Sequence, residues 1–124
     1  MSAGTVGRHV RRGFTLLELL SVVIVIGILA SIAVAKYRGV KEQAFLGTIR
    51  ADLKTLASNA EFYFADRGTY EGFTPTGLSV GVHVEFVGSP SGYEASARHD
   101  GVPGVTCSMK QSNDDGGTVT CTGL

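Results

Sequence analysis

The N-terminal half of the chain consists of an apolar run followed by an amphipathic one. Residues 19–35, LLSVVIVIGILASIAVA, carry no charge, and extending the run back to Phe14 adds Glu18 as the only charged side chain. As a helix, these 22 residues would span about 33 Å, enough to cross the hydrocarbon core of a membrane. From Lys36 to Phe64 there is no proline, and apolar or small residues recur mostly three or four positions apart. The pattern predicts one helix over residues 14–64, which is uniformly apolar in its first half and amphipathic in its second half.

The remaining residues, 65–124, show the alternation that is typical of short β-strands. After a glycine stop at Gly68 and a loop over residues 71–81, four alternating stretches are separated by turn residues. Their apolar faces are formed by Val82, Val84 and Phe86; by Tyr93, Ala95 and Ala97; by Val105, Cys107 and Met109; and by Val119 and Cys121. This pattern predicts a four-stranded antiparallel sheet that packs on the amphipathic half of the helix, giving an α+β fold.

The charges are distributed unevenly along the chain. There are 11 basic and 11 acidic side chains in 124 residues, but the first 13 residues hold Arg8, Arg11 and Arg12 and no acid. The rest therefore has a net charge of −3, which gives no reason to expect strong nucleic-acid binding. By the positive-inside rule, the basic N-terminus stays in the cytoplasm and everything after Lys36 crosses the membrane.

An ordinary secretory signal peptide is an alternative for the same region. Its apolar core would be about 7 to 15 residues long and would end at a small-residue cleavage site. Here the run is longer, and Ala33, Val34 and Ala35 form only a passable site of that kind. The helical pattern also continues beyond them, which favours a retained helix.

The residues Arg11-Arg12-Gly13-Phe14-Thr15-Leu16-Leu17-Glu18 form a basic leader, a glycine, an aromatic residue and a carboxylate. This segment resembles the class III signal of type IV prepilins and pseudopilins. The resemblance implies that an aspartyl prepilin peptidase cuts between Gly13 and Phe14 on the cytoplasmic side and methylates the new N-terminus at Phe14. It also implies the type IV pilin fold, with a leader over residues 1–13 and a membrane and filament-core helix over 14–35. An amphipathic half over 36–64 and a globular domain over 65–124 would follow.

Glu18 is the residue of this signal that needs a physical explanation. A carboxylate inside a membrane span costs several kcal/mol, so such a residue indicates a functional site. Cleavage would create a charged amine at Phe14, and two opposite charges in an apolar layer offset part of each other's desolvation when they meet. We expect Glu18 of one subunit to meet the amine of a neighbour, as the resemblance also implies. The alternative is that Glu18 only caps its own helix.

Many pilins carry a helix-kinking proline where this chain has Ala35. Any bending on assembly would therefore depend on Gly27 or Gly39, although these glycines could also be simply tolerated in a membrane helix.

Cys107 and Cys121 would lie opposite each other if the last hairpin turns about Asp114, so a cross-strand disulfide is feasible. The family often closes its C-terminal region with such a pair, and two buried free thiols are the alternative.

No catalytic or metal-binding pattern stands out. His9, His83 and His99 are scattered, and there is no zinc spacing, Ser-His-Asp set or phosphate loop. Residues 113–115, Asn-Asp-Asp, could bind calcium as in some pseudopilins, but acids at a hairpin tip are more often a solvated turn. We therefore expect no enzyme activity, no cofactor and no metal.

The resemblance implies a structural subunit of a type IV pilus, used for adhesion, surface motility or DNA uptake. The expected partners are identical subunits in a helical homopolymer, the prepilin peptidase, and an inner-membrane assembly platform with its motor ATPase. The chain would be a single-pass inner-membrane prepilin before it enters an extracellular filament. The alternatives are a minor or DNA-uptake pilin, a pseudopilin of a type II secretion system, and a single-span, membrane-anchored periplasmic binding protein that is not cut at Gly13.

Overall fold

The computed structural model describes residues 2–4, 7, 13–112 and 115–124. One helix, α1 (Leu16–Arg67), precedes four strands in the chain. The strands are β1 (Val82–Gly88), β2 (Tyr93–His99), β3 (Thr106–Ser112) and β4 (Asp115–Thr122). The chain divides into two compact units, Met1–Tyr37 and Arg38–Leu124. The helix-then-sheet order confirms the predicted α+β class and is consistent with the type IV pilin fold that the resemblance implies.

The helix α1 begins two residues later and ends three residues later than the pattern predicted. Thr15 precedes its first turn, and Gly68 follows its last residue with a φ of 71°. The Gly68 N–H donates to the Phe64 carbonyl at 2.7 Å, which is the kind of helix end that favours glycine. The helix continues through Ala35 without interruption, as expected for a segment with no proline.

In the first unit, the apolar side chains are exposed. Leu16 is 88% exposed and Ile24 is 54% exposed, and α1 is long and apolar enough to cross a membrane. The Ser21 and Ser31 hydroxyls donate to the carbonyls of Glu18 and Ile28, at 2.8 and 2.6 Å. These serines therefore satisfy their polar groups within the helix, which suits an apolar surrounding.

In the second unit, the four strands form one antiparallel sheet in the order β1-β2-β3-β4. This meander confirms the predicted sheet. The β3–β4 register changes between the pair Met109 and Val119 and the pair Gln111 and Gly116, so β4 holds one extra residue. Gly117 lies in this bulge with a φ of 68°, a conformation that a residue with a Cβ rarely adopts.

The core of the second unit lies between the sheet and one face of α1. Its helix residues are Leu46, Ile49, Leu53, Leu56 and Ala60, and its sheet residues include Tyr93, Ala95, Ala97, Cys107 and Met109. The sheet packs on the amphipathic half of the helix, as predicted. Val40 and Ala44, which also belong to the recurring apolar or small positions between Lys36 and Phe64, are exposed. The helix therefore has apolar positions on two different faces, and only one of them packs on the sheet.

Candidate processing and assembly site

Gly13 and Phe14 lie in irregular backbone immediately before α1. Both are exposed, Phe14 by 87%, and the space around Gly13 is open. The predicted leader cations Arg8, Arg11 and Arg12 lie outside the described residues. A peptidase needs accessible, non-helical backbone at the bond it cuts, and the described part of the signal provides it.

Thr15 caps the helix at this end. Its hydroxyl accepts the Glu18 N–H at 3.2 Å, and its carbonyl accepts the Leu19 N–H at 3.1 Å. Thr15 is therefore the N-cap residue, and Glu18 occupies the third helical position, as in a Ser/Thr-x-x-Glu capping box. We did not predict the role of Thr15, although this four-residue spacing is a known sequence signal.

The Glu18 side chain is accessible for a contact outside the described part of the chain. The side chain is exposed, and it forms no ion pair within the described residues. The positive end of the helix dipole favours a carboxylate at this position. In a capping box the carboxylate also accepts the N–H of the N-cap residue, so capping of its own helix stays the alternative role for Glu18.

Cys107 and Cys121 form a disulfide between β3 and β4. They are direct partners in the register, with Cα atoms 4.0 Å apart, and Cys107 is fully buried. The bond links strands that flank residues 113–114, and it holds the C-terminal edge of the sheet. Asp114, at which we placed the turn, lies outside the described residues.

The other polar candidates are engaged in local contacts. The His83 Nε2 lies 2.9 Å from the Asp100 Oδ1, and the His99 ring stacks on Phe45 with centroids 4.2 Å apart. No group of three metal-ligating side chains occurs in the described part of the chain. Asn113 and Asp114, the calcium candidates, and His9 lie outside that part.

Gly27 and Gly39 lie within the unbroken helix. A Cβ at either position would meet no atom within 4 Å. Their proposed role in bending stays a prediction.

Two part-buried polar contacts of the second unit were not predicted. Asp52, only 9% exposed, accepts the Ser79 N–H at 2.8 Å and the Ser79 hydroxyl at 2.9 Å. The Tyr70 hydroxyl donates to Glu61 at 2.9 Å. Burial, the hydrogen bond to Glu61 and the Glu61 charge raise the pKa of Tyr70 to about 12, and burial also raises the pKa of Tyr93. No local sequence signal joins residues 27 positions apart, as Asp52 and Ser79 are.

Comparison with known proteins finds similarity to the same group of proteins that the sequence resembles. The family model described as "Prokaryotic N-terminal methylation motif" matches residues 8–34. The type II secretion system core protein G of Klebsiella michiganensis is 38% identical over 63 residues, covering 51% of this chain and 44% of that protein. The type IV major pilin protein PilA of Myxococcus xanthus is 36% identical over 62 residues, covering 50% of this chain and 28% of that protein.

A longer similarity exists to the type IV major fimbrial protein FimA of Dichelobacter nodosus. It is 28% identical over 119 residues, which cover 93% of this chain and 72% of that protein. By contrast, the chain spans less than half the length of the protein G relatives that it matches. No solved structure matches the chain.

Proposed function

We propose that the chain is a structural subunit of a type IV pilus. The premise is that it carries the class III signal and the fold of type IV pilins and pseudopilins. The observation that carries this proposal is the start of α1. There, an accessible Gly13–Phe14 bond precedes a capped helix. Glu18 is the only charged residue between positions 14 and 35, and its carboxylate forms no ion pair within the described residues. A helix of this composition needs lipid or other helices along its length.

The proposed assembly contact uses Glu18 and the Phe14 amine that cleavage would create. Within one chain, both groups belong to the same helix end. In a packed bundle, Glu18 of one subunit would meet the amine of a neighbour and set its axial position. An unpaired carboxylate in an apolar bundle is strongly unfavourable, so correct register is selected by charge pairing.

Two features favour the pilus over the secretion pseudopilin. The similarity to the fimbrial protein extends over most of the chain, whereas that to protein G covers about half of it. The Cys107–Cys121 disulfide also closes the C-terminal region, as the resemblance implies for pilins. The higher identity to protein G, 38%, supports the pseudopilin as the second candidate.

The proposal includes a sequence of locations and partners. A prepilin peptidase removes residues 1–13 while the helix is held in the inner membrane. An assembly platform and a cytoplasmic motor ATPase then transfer the subunit into an extracellular filament of identical copies. The filament would serve adhesion, surface motility or DNA uptake, and the chain itself would catalyse no reaction.

Mass spectrometry of filaments sheared from cells tests this proposal. We expect a dominant chain that starts at N-methylated Phe14 and is two hydrogens lighter than the reduced form, because of the disulfide. A chain that starts at Phe14 in membranes but is absent from sheared filaments would instead support a pseudopilin or a minor pilin. A chain that keeps residues 1–13 would refute processing and support an anchored binding protein.

A further inference from the structure

The strand β4 forms one edge of the sheet. The strand order places β3 on one side of it and no strand of the described residues on the other. Val119 and Cys121 are half-buried and pack against the core. Thr118, Thr120 and Thr122, which alternate with them, are exposed. An edge strand presents backbone N–H and C=O groups without a partner, so it is a template for pairing with another chain.

The backbone groups that face this edge belong to Val119 and Cys121. The Cα atoms of Cys107 and Cys121 lie 4.0 Å apart, which is the close spacing of an antiparallel pair that exchanges no backbone hydrogen bonds. The N–H and C=O of Cys121 therefore point away from β3, and so do those of Val119, two residues away on the same strand. Among the described residues, neither forms a backbone hydrogen bond outside the sheet.

The two edges of the sheet differ in charge. The other edge strand, β1, carries His83 and Glu85, and charged side chains on an edge strand oppose pairing with a second sheet. Residues 116–124 include no Asp, Glu, Lys, Arg, His or Pro. The bulge at Gly117 lies at the start of β4, before the alternating residues 118–122. These five residues therefore lack the side chains that normally keep an edge strand from pairing.

The sequence of residues 118–122, Thr-Val-Thr-Cys-Thr, is self-complementary. When two copies are aligned antiparallel about Thr120, Val119 of each lies opposite Cys121 of the other, and every threonine lies opposite a threonine. Val119 and Cys121 then exchange backbone hydrogen bonds, and Thr120 falls in a close pair without them, as the alternation along antiparallel strands requires. Opposed threonine side chains stabilise such a pair of strands, and no like charges meet.

We propose that β4 pairs antiparallel with β4 of a second copy, so that two four-stranded sheets become one sheet of eight strands. The contact is isologous, because both copies contribute the same strand about a two-fold axis at Thr120. Neighbours within a helical filament are not related by such an axis. The contact therefore joins copies of two filaments side by side, and this part of the inference rests on the proposed function. A single pair of strands is weak, but it is repeated along both filaments.

Cross-linking at the two-fold axis tests the pairing directly. We would replace Thr120 with p-benzoylphenylalanine in the full chain, mix isotope-labelled with unlabelled filaments, irradiate them and map the cross-linked peptides. We expect links from position 120 to residues 115–124 of a copy with the other label. The matched control is the same replacement at Glu85, which is exposed on β1 and should give no such link. Links that are absent at position 120, or equally frequent from position 85, would overturn the inference.

A charge at the same position gives a second test. Thr120→Lys should lower the fraction of filaments that sediments at low speed as bundles about tenfold or more, because two ammonium groups would meet at the axis. Thr106→Lys adds the same charge to the same face on the inner strand β3 and should leave that fraction unchanged. Mixing Thr120→Lys filaments with Thr120→Glu filaments should restore the bundles. Equal sedimentation of both lysine variants, or a mixture that stays dispersed, would contradict the pairing.

Failure of this inference can be distinguished from failure of the proposed function. Filaments that form normally but give no link between labelled and unlabelled copies overturn the β4 pairing alone. A parent chain that forms no filament contradicts the pilus proposal instead. The cross-link from position 120 is then sought between labelled and unlabelled full chains in detergent, where its absence overturns the pairing as well.

Discussion

Removal of the Asp52 carboxylate should release the C-terminal end of the loop before β1 from the helix. Asp52 accepts both the backbone N–H and the hydroxyl of Ser79, at 2.8 and 2.9 Å. The Ser79 carbonyl in turn accepts the Val82 N–H at 3.1 Å, at the first residue of β1. Asp52 thus ties the C-terminal end of the loop over residues 71–81 to α1, whereas the Tyr63 hydroxyl donates to the Glu71 carbonyl at its N-terminal end.

The expected magnitudes follow from the bonds lost in each variant. Hydrogen bonds to a charged group contribute about 1.5 to 3 kcal/mol each when buried, and the exposure of Ser79 places these two near the low end. Ala at position 52 also recovers about 0.5 kcal/mol of helix propensity. We expect Asp52→Ala to cost about 2 kcal/mol and Ser79→Ala, which keeps the backbone bond, to cost about 1 kcal/mol. The double variant should cost about 2 kcal/mol, because the hydroxyl has already lost its partner.

Urea unfolding of the full chain in detergent, followed by tyrosine fluorescence, measures these values. There is no tryptophan to mask the tyrosine signal, and Tyr70 and Tyr93 both lie in the core. Coupling between the two substitutions of about 1 kcal/mol is the signature of the shared contact. A double variant whose cost is the sum of the single costs, about 3 kcal/mol, would refute the reasoning.

Three further experiments test other parts of the second unit. Reduction of the Cys107–Cys121 bond, which closes a loop of about 15 residues, should lower the free energy of unfolding by about 3 kcal/mol, and denaturation with and without reductant measures the difference. The pKa of Tyr70 is raised to about 12 from an ordinary 10.0, so the contribution of this tyrosine to the free energy of unfolding is complete below pH 10. That contribution should be lost as the pH rises through 12. Tyr70→Phe should remove this dependence of the free energy of unfolding on pH. A titration followed by tyrosinate absorbance should then show one tyrosine with a raised pKa fewer. Leu53→Ala, at a fully buried position, should cost about 2 to 5 kcal/mol in urea unfolding, whereas Phe62→Ala should change the stability of the unassembled chain by less than about 0.5 kcal/mol.

Local patterns determined the element types and much of the topology. The unbroken apolar and amphipathic periodicity predicted α1 to within three residues at each end, because helix formation depends on neighbours three and four positions apart. The alternation from Val82 to Cys121 and its turn residues predicted the meander, because consecutive short strands pair with their neighbours. The same alternation placed Cys107 opposite Cys121.

The candidate site was predicted from residue chemistry rather than from packing. Gly13, Phe14 and Glu18 were identified by their order behind a basic leader, and their order is independent of the rest of the fold. The capping role of Thr15 was missed although it is local, since the capping-box spacing was not considered.

The sequence by itself thus determined the signal, the helix, the strands and their order, because each depends on residues that are close together in the chain. Only the tertiary structure decided which face of α1 packs on the sheet and which face stays exposed. It also decided that Asp52 holds Ser79 and that the Tyr70 hydroxyl donates to the exposed Glu61. These contacts depend on the rotation of a helix against a sheet and on the path of a loop, and both are set by side chains packing together from distant parts of the chain.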